Sequence, residues 1–397
     1  MNFSIKKFTA GIVMLAVVIF SLSYAAFASY DVKILINGEK LETSQNPVIL
    51  DGTTLVPLRD VFEGLGAKVS WDEESRVATG EYNGIVISVN PDTSQMLKNG
   101  EEMSLNRAPV IINDRILIPL RAVAESFGYS VMWRGIDYTV SISTDAVMEV
   151  FFLDCGQADS IFIKLPDGKC MLVDAGEKSF GKELEAFIKE KGFNHIDYVL
   201  ATHPHSDHIG GMEHIIKSFS IGTFYMPEIT HNTKTFEGMV DALIENGCKS
   251  KYVSQGSIVA ELPCSIEVLS PQNRDYVKMN NYSAAVKISY KDVSAVLSGD
   301  AEVDSEEEII ASGVDIVADV LKLGHHGSST STSEAYLDKV DPKDAIISVG
   351  EGNSYGFPHE IVINRLKKRG INIYRTDVMG TVHMTTDGYV YILEGEK

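Results

Sequence analysis

The pattern of apolar and polar positions changes character near residue 148. Upstream, an Asn-Gly hairpin, a strand entering Pro-Leu-Arg, a short helix and a strand bearing tryptophan follow one another, and then the same series returns. Downstream stand short, wholly apolar runs: Val150-Phe151-Phe152-Leu153, Ser160-Ile161-Phe162-Ile163 and Cys170-Met171-Leu172-Val173. Turn signals such as Pro166-Asp167-Gly168 separate them, which predicts buried strands. Residues 183–191 predict an amphipathic helix, 196–201 a strand and 210–219 a helix. Strand and helix then alternate from 266 to the end, an α/β order.

The upstream segment, 31–145, is a duplication with a spacing of 62 residues. Asn37-Gly38 recurs as Asn99-Gly100, Pro47 as Pro109, Gly66 as Gly128 and Trp71 as Trp133. Leu55-Val56-Pro57-Leu58-Arg59 recurs as Leu117-Ile118-Pro119-Leu120-Arg121. Val61, Phe62 and Leu65, and again Val123, Ala124 and Phe127, lie at helical spacing and predict a core shared by two copies in one small α+β domain. The segment resembles the copper amine oxidase N-terminal-like module of secreted bacterial proteins. It contains no histidine, so no copper site is expected. Arg59 and Arg121 are expected to brace the starts of their helices, and the module to serve as a spacer or as a contact to cell wall or glycan.

The first residues have the form of a secretory signal. Lys6 and Lys7 precede an apolar run from Phe8 to about Leu22, and Ala26-Phe27-Ala28 supplies the small-residue cleavage pattern. The run is short for a membrane span, which needs about 20 apolar residues. Residues 1–28 are therefore expected to be removed, leaving an exported chain with no stable membrane insertion. The expected organisation is signal peptide 1–28, duplicated module 31–145 and a catalytic domain over 147–397.

The net charge of −20 changes the picture of the partners. The segment 147–397 holds 38 acidic and 23 basic residues. Proteins that grip long nucleic acid through its phosphates show a basic face, and only Lys367-Lys368-Arg369 offers one here. Cys155, Cys170, Cys248 and Cys264 lack C-x-x-C spacing, so neither a disulfide scaffold nor a cysteine-built zinc site is expected.

The chemistry concentrates in His203-Pro204-His205-Ser206-Asp207-His208, directly after the apolar run ending at Ala201. Three imidazoles and a carboxylate within six residues form a ligand set for transition metals. One ion on His203 and His205 and a second on Asp207 and His208 is the natural division.

With Gly210-Gly211 behind it, this stretch resembles the signature of the metallo-β-lactamase fold hydrolases. Further segments resemble the competence (ComEC) type branch of DNA-uptake proteins: Leu153-Asp154-Cys155-Gly156-Gln157-Ala158-Asp159-Ser160, Val173-Asp174-Ala175-Gly176, Leu297-Ser298-Gly299-Asp300 and Leu323-Gly324-His325-His326-Gly327-Ser328. The resemblance implies an αββα sandwich of two stacked sheets with helices on both outer faces. It implies that Asp300 bridges two divalent ions, zinc first and manganese also admissible. One of His325 and His326 completes the second ion's shell, and the other meets substrate. Asp154 and Asp174 are expected behind the histidines. Asn281 and Ser283 are expected near the metal or the substrate, through oxygen ligands or hydrogen bonds, with substrate binding the role assigned to them and to Ser328.

Between Gly211 and Asp300 the chain departs from the common β-lactamase pattern. Only His214 and His231 are available as a third imidazole for the first ion. Tyr355-Gly356-Phe357-Pro358-His359 resembles another element of the branch, and His359 is expected to act in catalysis as a proton donor, with Asp207 the second catalytic residue. The implied function is a secreted metal-dependent phosphodiesterase working through a hydroxide held by two ions, with DNA among its substrates. Phosphorylcholine esters, other esters and lactams are rivals within the fold. A wall-binding protein with a vestigial hydrolase domain is the rival of another class.

Overall fold

The protein is described here by a computed structural model that covers residues 31–260 and 263–397; the expected signal peptide lies outside the described residues. Contacts divide the chain into two units, one holding 42–127 and the other 33–41 together with 128–397.

In the first unit the duplication is visible as pairing. Thr53–Pro57 runs antiparallel to its repeat partner Arg115–Pro119, with Val56 opposite Ile118. Each strand leads into a short helix, Leu58–Gly64 or Leu120–Ser126. Val61 and Phe62 of one helix and Val123 and Ala124 of the other are buried, and the Phe62 and Phe127 rings meet edge to face at 5.7 Å. Arg59 and Arg121 stay exposed and reach Glu63 and Glu125 one turn on, so they brace their helices along the surface.

The division of contacts does not follow the expected boundary at 145–147. Lys33–Ile36 lies parallel to Thr139–Ser143, which pairs with Ser130–Arg134, and this sheet belongs with the C-terminal residues. The physical reason is local packing. The Arg134 guanidinium lies 5.9 Å from the centre of the Tyr391 ring, Lys291 pairs with Asp145, and Tyr290 Oη donates to Ala146 O at 2.7 Å. Gly38, at φ 84°, lies against the Tyr389 ring, where a Cβ would come within 2.5 Å of a ring carbon. Only glycine tolerates both conditions.

The rest of the second unit is the expected αββα sandwich. One sheet has eight strands, with Cys170–Val173, His195–Leu200 and Ser220–Pro227 side by side and parallel. The other has seven, with Val293–Leu297, Val320–Lys322 and Asp344–Ile347 parallel in its middle. Phe152, Met171 and Val173 of the first sheet meet Val268, Val286 and Leu297 of the second in one buried core. Strands buried on both faces explain the wholly apolar runs. Outer helices cover the other faces through positions four apart. Leu184 and Ile188 in Gly181–Glu190 cover the first sheet, and Val362 and Leu366 in Glu360–Lys368 the second. Burying each such side chain contributes about 1.5–3 kcal/mol. The parallel strands end at one edge of the sandwich, and the loops leaving them carry the histidine motif, Asp174, Asp300 and the His325-His326 pair.

Candidate metal centre

His195–Leu200 ends just before Thr202, and the chain turns through His203 and His205 into the one-turn helix Ser206–Ile209. That turn folds the three imidazoles and Asp207 back over the strand end. His203 Nε2 and His205 Nδ1 lie 2.9 Å apart, and Asp300 Oδ2 lies 3.7 Å from the same His203 nitrogen. His203, His205 and Asp300 thus converge as one potential ligand group. Asp207, His208, Asp300 and His326 form a second. Within it Asp300 Oδ1 lies 3.2 Å from His208 Nε2, and Asp207 Oδ2 lies 3.2 Å from His326 Nε2. Asp300 belongs to both groups, and each of its oxygens faces one of them.

The residues fit a pair of divalent ions. His208 Nε2 and Asp300 Oδ1 are buried and face each other at 3.2 Å without the alignment of a hydrogen bond, and no other protein group satisfies them, which costs free energy unless something electropositive does. Four imidazoles and two carboxylates make the donor set that zinc and manganese accept. Burial holds the His203 imidazole well below its ordinary pKa, in the neutral ligand form. Burial alone would raise the pKa of Asp300, but the His208 and His326 rings outweigh it, so the carboxylate stays ionised.

Outer contacts aim the rings. Asp174 Oδ2 lies 2.7 Å from His208 Nδ1, while its two oxygens also accept the N–H and hydroxyl of Thr202 at 2.8 and 2.6 Å. The Ser348 carbonyl accepts from His326 Nδ1 at 3.0 Å. Burial alone would lower the pKa of the His208 and His326 rings, but Asp300 outweighs it; with Nδ1 held from behind, an ion would take the place of the Nε2 proton on each ring.

His326 therefore belongs to the cluster and His325 does not. His325 stands at the cleft rim with Nδ1 3.1 Å from Thr330 Oγ1, and its Nε2 is 3.9 Å from Asp300. Both residues have positive φ, 49° and 53°, a strained pair held by backbone bonds from His325 N to Gly299 O and from Ser328 N to His325 O.

Several expected roles change. The Asp154 carboxylate pairs with Lys397 at 3.1 Å and meets none of the cluster histidines. The acid behind His326 is Asp159, with Oδ1 3.5 Å from His326 Nδ1 and Oδ2 2.7 Å from Lys322 Nζ, all of them buried. Ser283 is wholly buried: its Oγ accepts the Asp300 N–H at 3.0 Å and lies 3.4 Å from His203 Nδ1, so it braces the centre instead of meeting substrate. Asn281 accepts the Glu302 N–H and bonds Asp304, at the start of the helix Val303–Ser312. Ser328 Oγ accepts the Thr330 N–H inside its own loop. His359 is not among the residues lining the cleft. Its Nδ1 accepts the Ser329 N–H at 2.8 Å and its own N–H goes to Gly327 O, which clamps the loop carrying His325. His214 pairs with Glu185 at 2.5 Å and belongs to neither ligand group, whereas His231 lines the cleft.

Sequence reasoning passed over Lys322 and Asp159. A lysine inside the apolar run Val320-Leu321-Lys322-Leu323 was the signal, because a buried ammonium requires a carboxylate partner. Beside the cluster lies a cleft of about 390 Å³, lined among others by His231, Thr233, His325, Tyr355 and Phe357.

Two stacked mixed sheets carrying a histidine–aspartate centre on their edge loops define the class. The chain belongs to the metallo-beta-lactamase superfamily, which it matches over residues 153–351, and it is a metal-dependent hydrolase. Residues 35–142 match the copper amine oxidase N-terminal domain. Among curated relatives it is 32% identical to ComE operon protein 3 of Bacillus subtilis over 59% of this chain and 32% of that protein. It is 28% identical to competence protein ComA of Neisseria gonorrhoeae, over 61% of this chain and 33% of that one. It is 30% identical to recombination protein 2 of Haemophilus influenzae, over 72% and 34%. The chain thus spans about a third of the length of these relatives. Among solved structures it is similar to the metallo-beta-lactamase fold protein YhfI of Bacillus subtilis, with 13% identity, a TM-score of 0.41, and coverage of 58% of this chain and 95% of that one.

Proposed function

We propose that the protein is an exported phosphodiesterase whose substrates include DNA. The observation that carries this reading is Asp300 shared between two ligand groups at the floor of an open cleft. A pair of ions held there would supply positive charge to the oxygens of a phosphoryl displacement. His203, His205 and Asp300 would hold one ion, and Asp207, His208, Asp300 and His326 the other, zinc and manganese both suiting the set. When bound, the ions supply Lewis acidity and a nucleophile at neutral pH. Similarity to competence proteins supports a nucleic-acid substrate.

The chain's own residues supply orientation and a proton. Asp174 and the Ser348 carbonyl keep protons on the outer nitrogens of His208 and His326. His325, on the cleft wall beside the ions, is placed to donate to the departing alkoxide, the role expected at the outset for His359. The signal-like N-terminus supports export.

The test is a substrate screen of zinc- and manganese-loaded protein. Turnover of bis-p-nitrophenyl phosphate and DNA, abolished by chelator, is the expected result. Turnover confined to a phosphorylcholine ester or a β-lactam contradicts the reading.

A further inference from the structure

We propose that Tyr355 is a base-stacking residue: its ring, backed by Phe357, is the platform on which one unpaired nucleobase lies while the adjoining phosphodiester sits over the ions. The proposal rests on the phosphodiesterase reading above and deepens it to a substrate with unpaired bases.

Tyr355 is 65% exposed although it borders the cleft. Its ring is stacked on Phe357, with centroids 5.5 Å apart and planes at 15°. Phe357 in turn lies nearly parallel to His326, at 6.4 Å and 22°. Three rings thus form a ladder from the metal centre out to solvent, and its last face is bare. An aromatic face of this kind gains most from another planar π system.

The platform is built in advance. Asn353 Oδ1 accepts the N–H groups of Tyr355 and Phe357 at 3.2 and 3.0 Å. Its Nδ2 donates to Phe357 O at 2.7 Å and to Gly350 O at 3.1 Å. Gly350 N donates to Gln157 Oε1, and Gln157 itself lines the cleft. One asparagine therefore fixes both aromatic residues relative to the centre, which spares the ordering cost on binding.

The charge pattern selects the form of nucleic acid. Among the described residues, none of those lining the cleft is lysine or arginine. With a net charge of −20, the protein has little means of tracking a phosphate backbone. Phosphate recognition then falls to the ions, and the remaining contact is to a base. Duplex bases are already stacked on their neighbours and have no free face to offer Tyr355. A quaternary ammonium such as choline favours aromatic faces set around it, whereas Tyr355 and Phe357 are stacked on one another with planes at 15°.

The experiment compares the metal-loaded full chain on d(ApA) and on two analogues in which a tetrahydrofuran abasic sugar replaces one nucleoside or the other. The wild type is expected to lose about 5- to 100-fold in kcat/KM on one of the abasic analogues. In Tyr355→Ala that base-to-abasic ratio should fall towards one, and in Tyr355→Phe it should persist. The ratio is insensitive to a general loss of active protein, so partial misfolding does not mimic the effect. An unchanged ratio in Tyr355→Ala overturns the stacking role while d(ApA) turnover leaves the phosphodiesterase reading standing. No cleavage of d(ApA) by the wild type overturns both.

Discussion

Lys322 Nζ, wholly buried, lies 2.7 Å from Asp159 Oδ2, and the other oxygen of Asp159 lies 3.5 Å from His326 Nδ1. A strand of the second sheet thus supplies the counter-ion for a loop of the first, directly behind a metal-facing histidine. Lys322→Met should destabilise the fold by about 3–5 kcal/mol, because it leaves a buried carboxylate unpaired. Adding Asp159→Leu should recover much of that loss. Urea unfolding of the two variants checks this, and a single variant as stable as wild type would contradict it.

The two acidic residues expected behind the histidines now separate. Asp174→Asn should lower the affinity for the ion on His208 by about 10- to 100-fold, since the carboxylate that orients that ring is lost. Asp154→Asn should leave ion affinity unchanged, because its partner is Lys397. Isothermal titration of both variants with zinc distinguishes them. Equal losses would mean that Asp154 reaches the centre after all.

A proton donor reveals itself through the leaving group. His325→Gln should slow cleavage of a DNA phosphodiester by about 10²–10⁴-fold, and cleavage of a nitrophenyl ester, which departs without a proton, far less. His359→Ala should affect both substrates alike, since it loosens the loop from Gly327 to Thr330 through the lost Ser329 contact. The reverse pattern in steady-state rates would return the acid to His359.

The division of contacts bears on truncation. A chain beginning at residue 147 lacks Lys33–Ile36, Ser130–Arg134 and Thr139–Ser143 and uncovers Tyr391 and Tyr290. It should be less stable than a chain in which only 42–127 is replaced by a flexible linker. Differential scanning calorimetry of the two makes the comparison, and equal melting temperatures would favour a boundary at 145–147.

Much of this was legible in the sequence because the signals are local. Wholly apolar runs marked strands buried between two layers, and the 62-residue repeat marked the paired helices and strands of the module. Three histidines and an aspartate in one turn marked the centre. What was not legible depends on contacts distant in sequence. Choosing between His325 and His326 required knowing that the Ser348 carbonyl waits behind one of them. Asp154 and Asp159 lie five residues apart in the same motif, and only the position of Lys322 decides which one faces inward. Ser283 and Asn281 are polar residues near the centre, yet each is consumed by holding backbone N–H groups. The hairpin at Asn37-Gly38 repeats its counterpart in sequence, and Tyr389, far along the chain, is what it packs against.

The most direct test of the account is a metal titration followed by turnover. Metal-free protein is loaded with increasing zinc or manganese, and bound metal and cleavage of a single-stranded oligonucleotide are measured together. Two shared ligand groups predict that activity rises to a plateau at two equivalents in the wild type. His205→Ala should hold one ion, and Asp300→Ala should hold neither firmly. A plateau at one equivalent, or activity indifferent to metal, would contradict a centre in which Asp300 serves two ions at once.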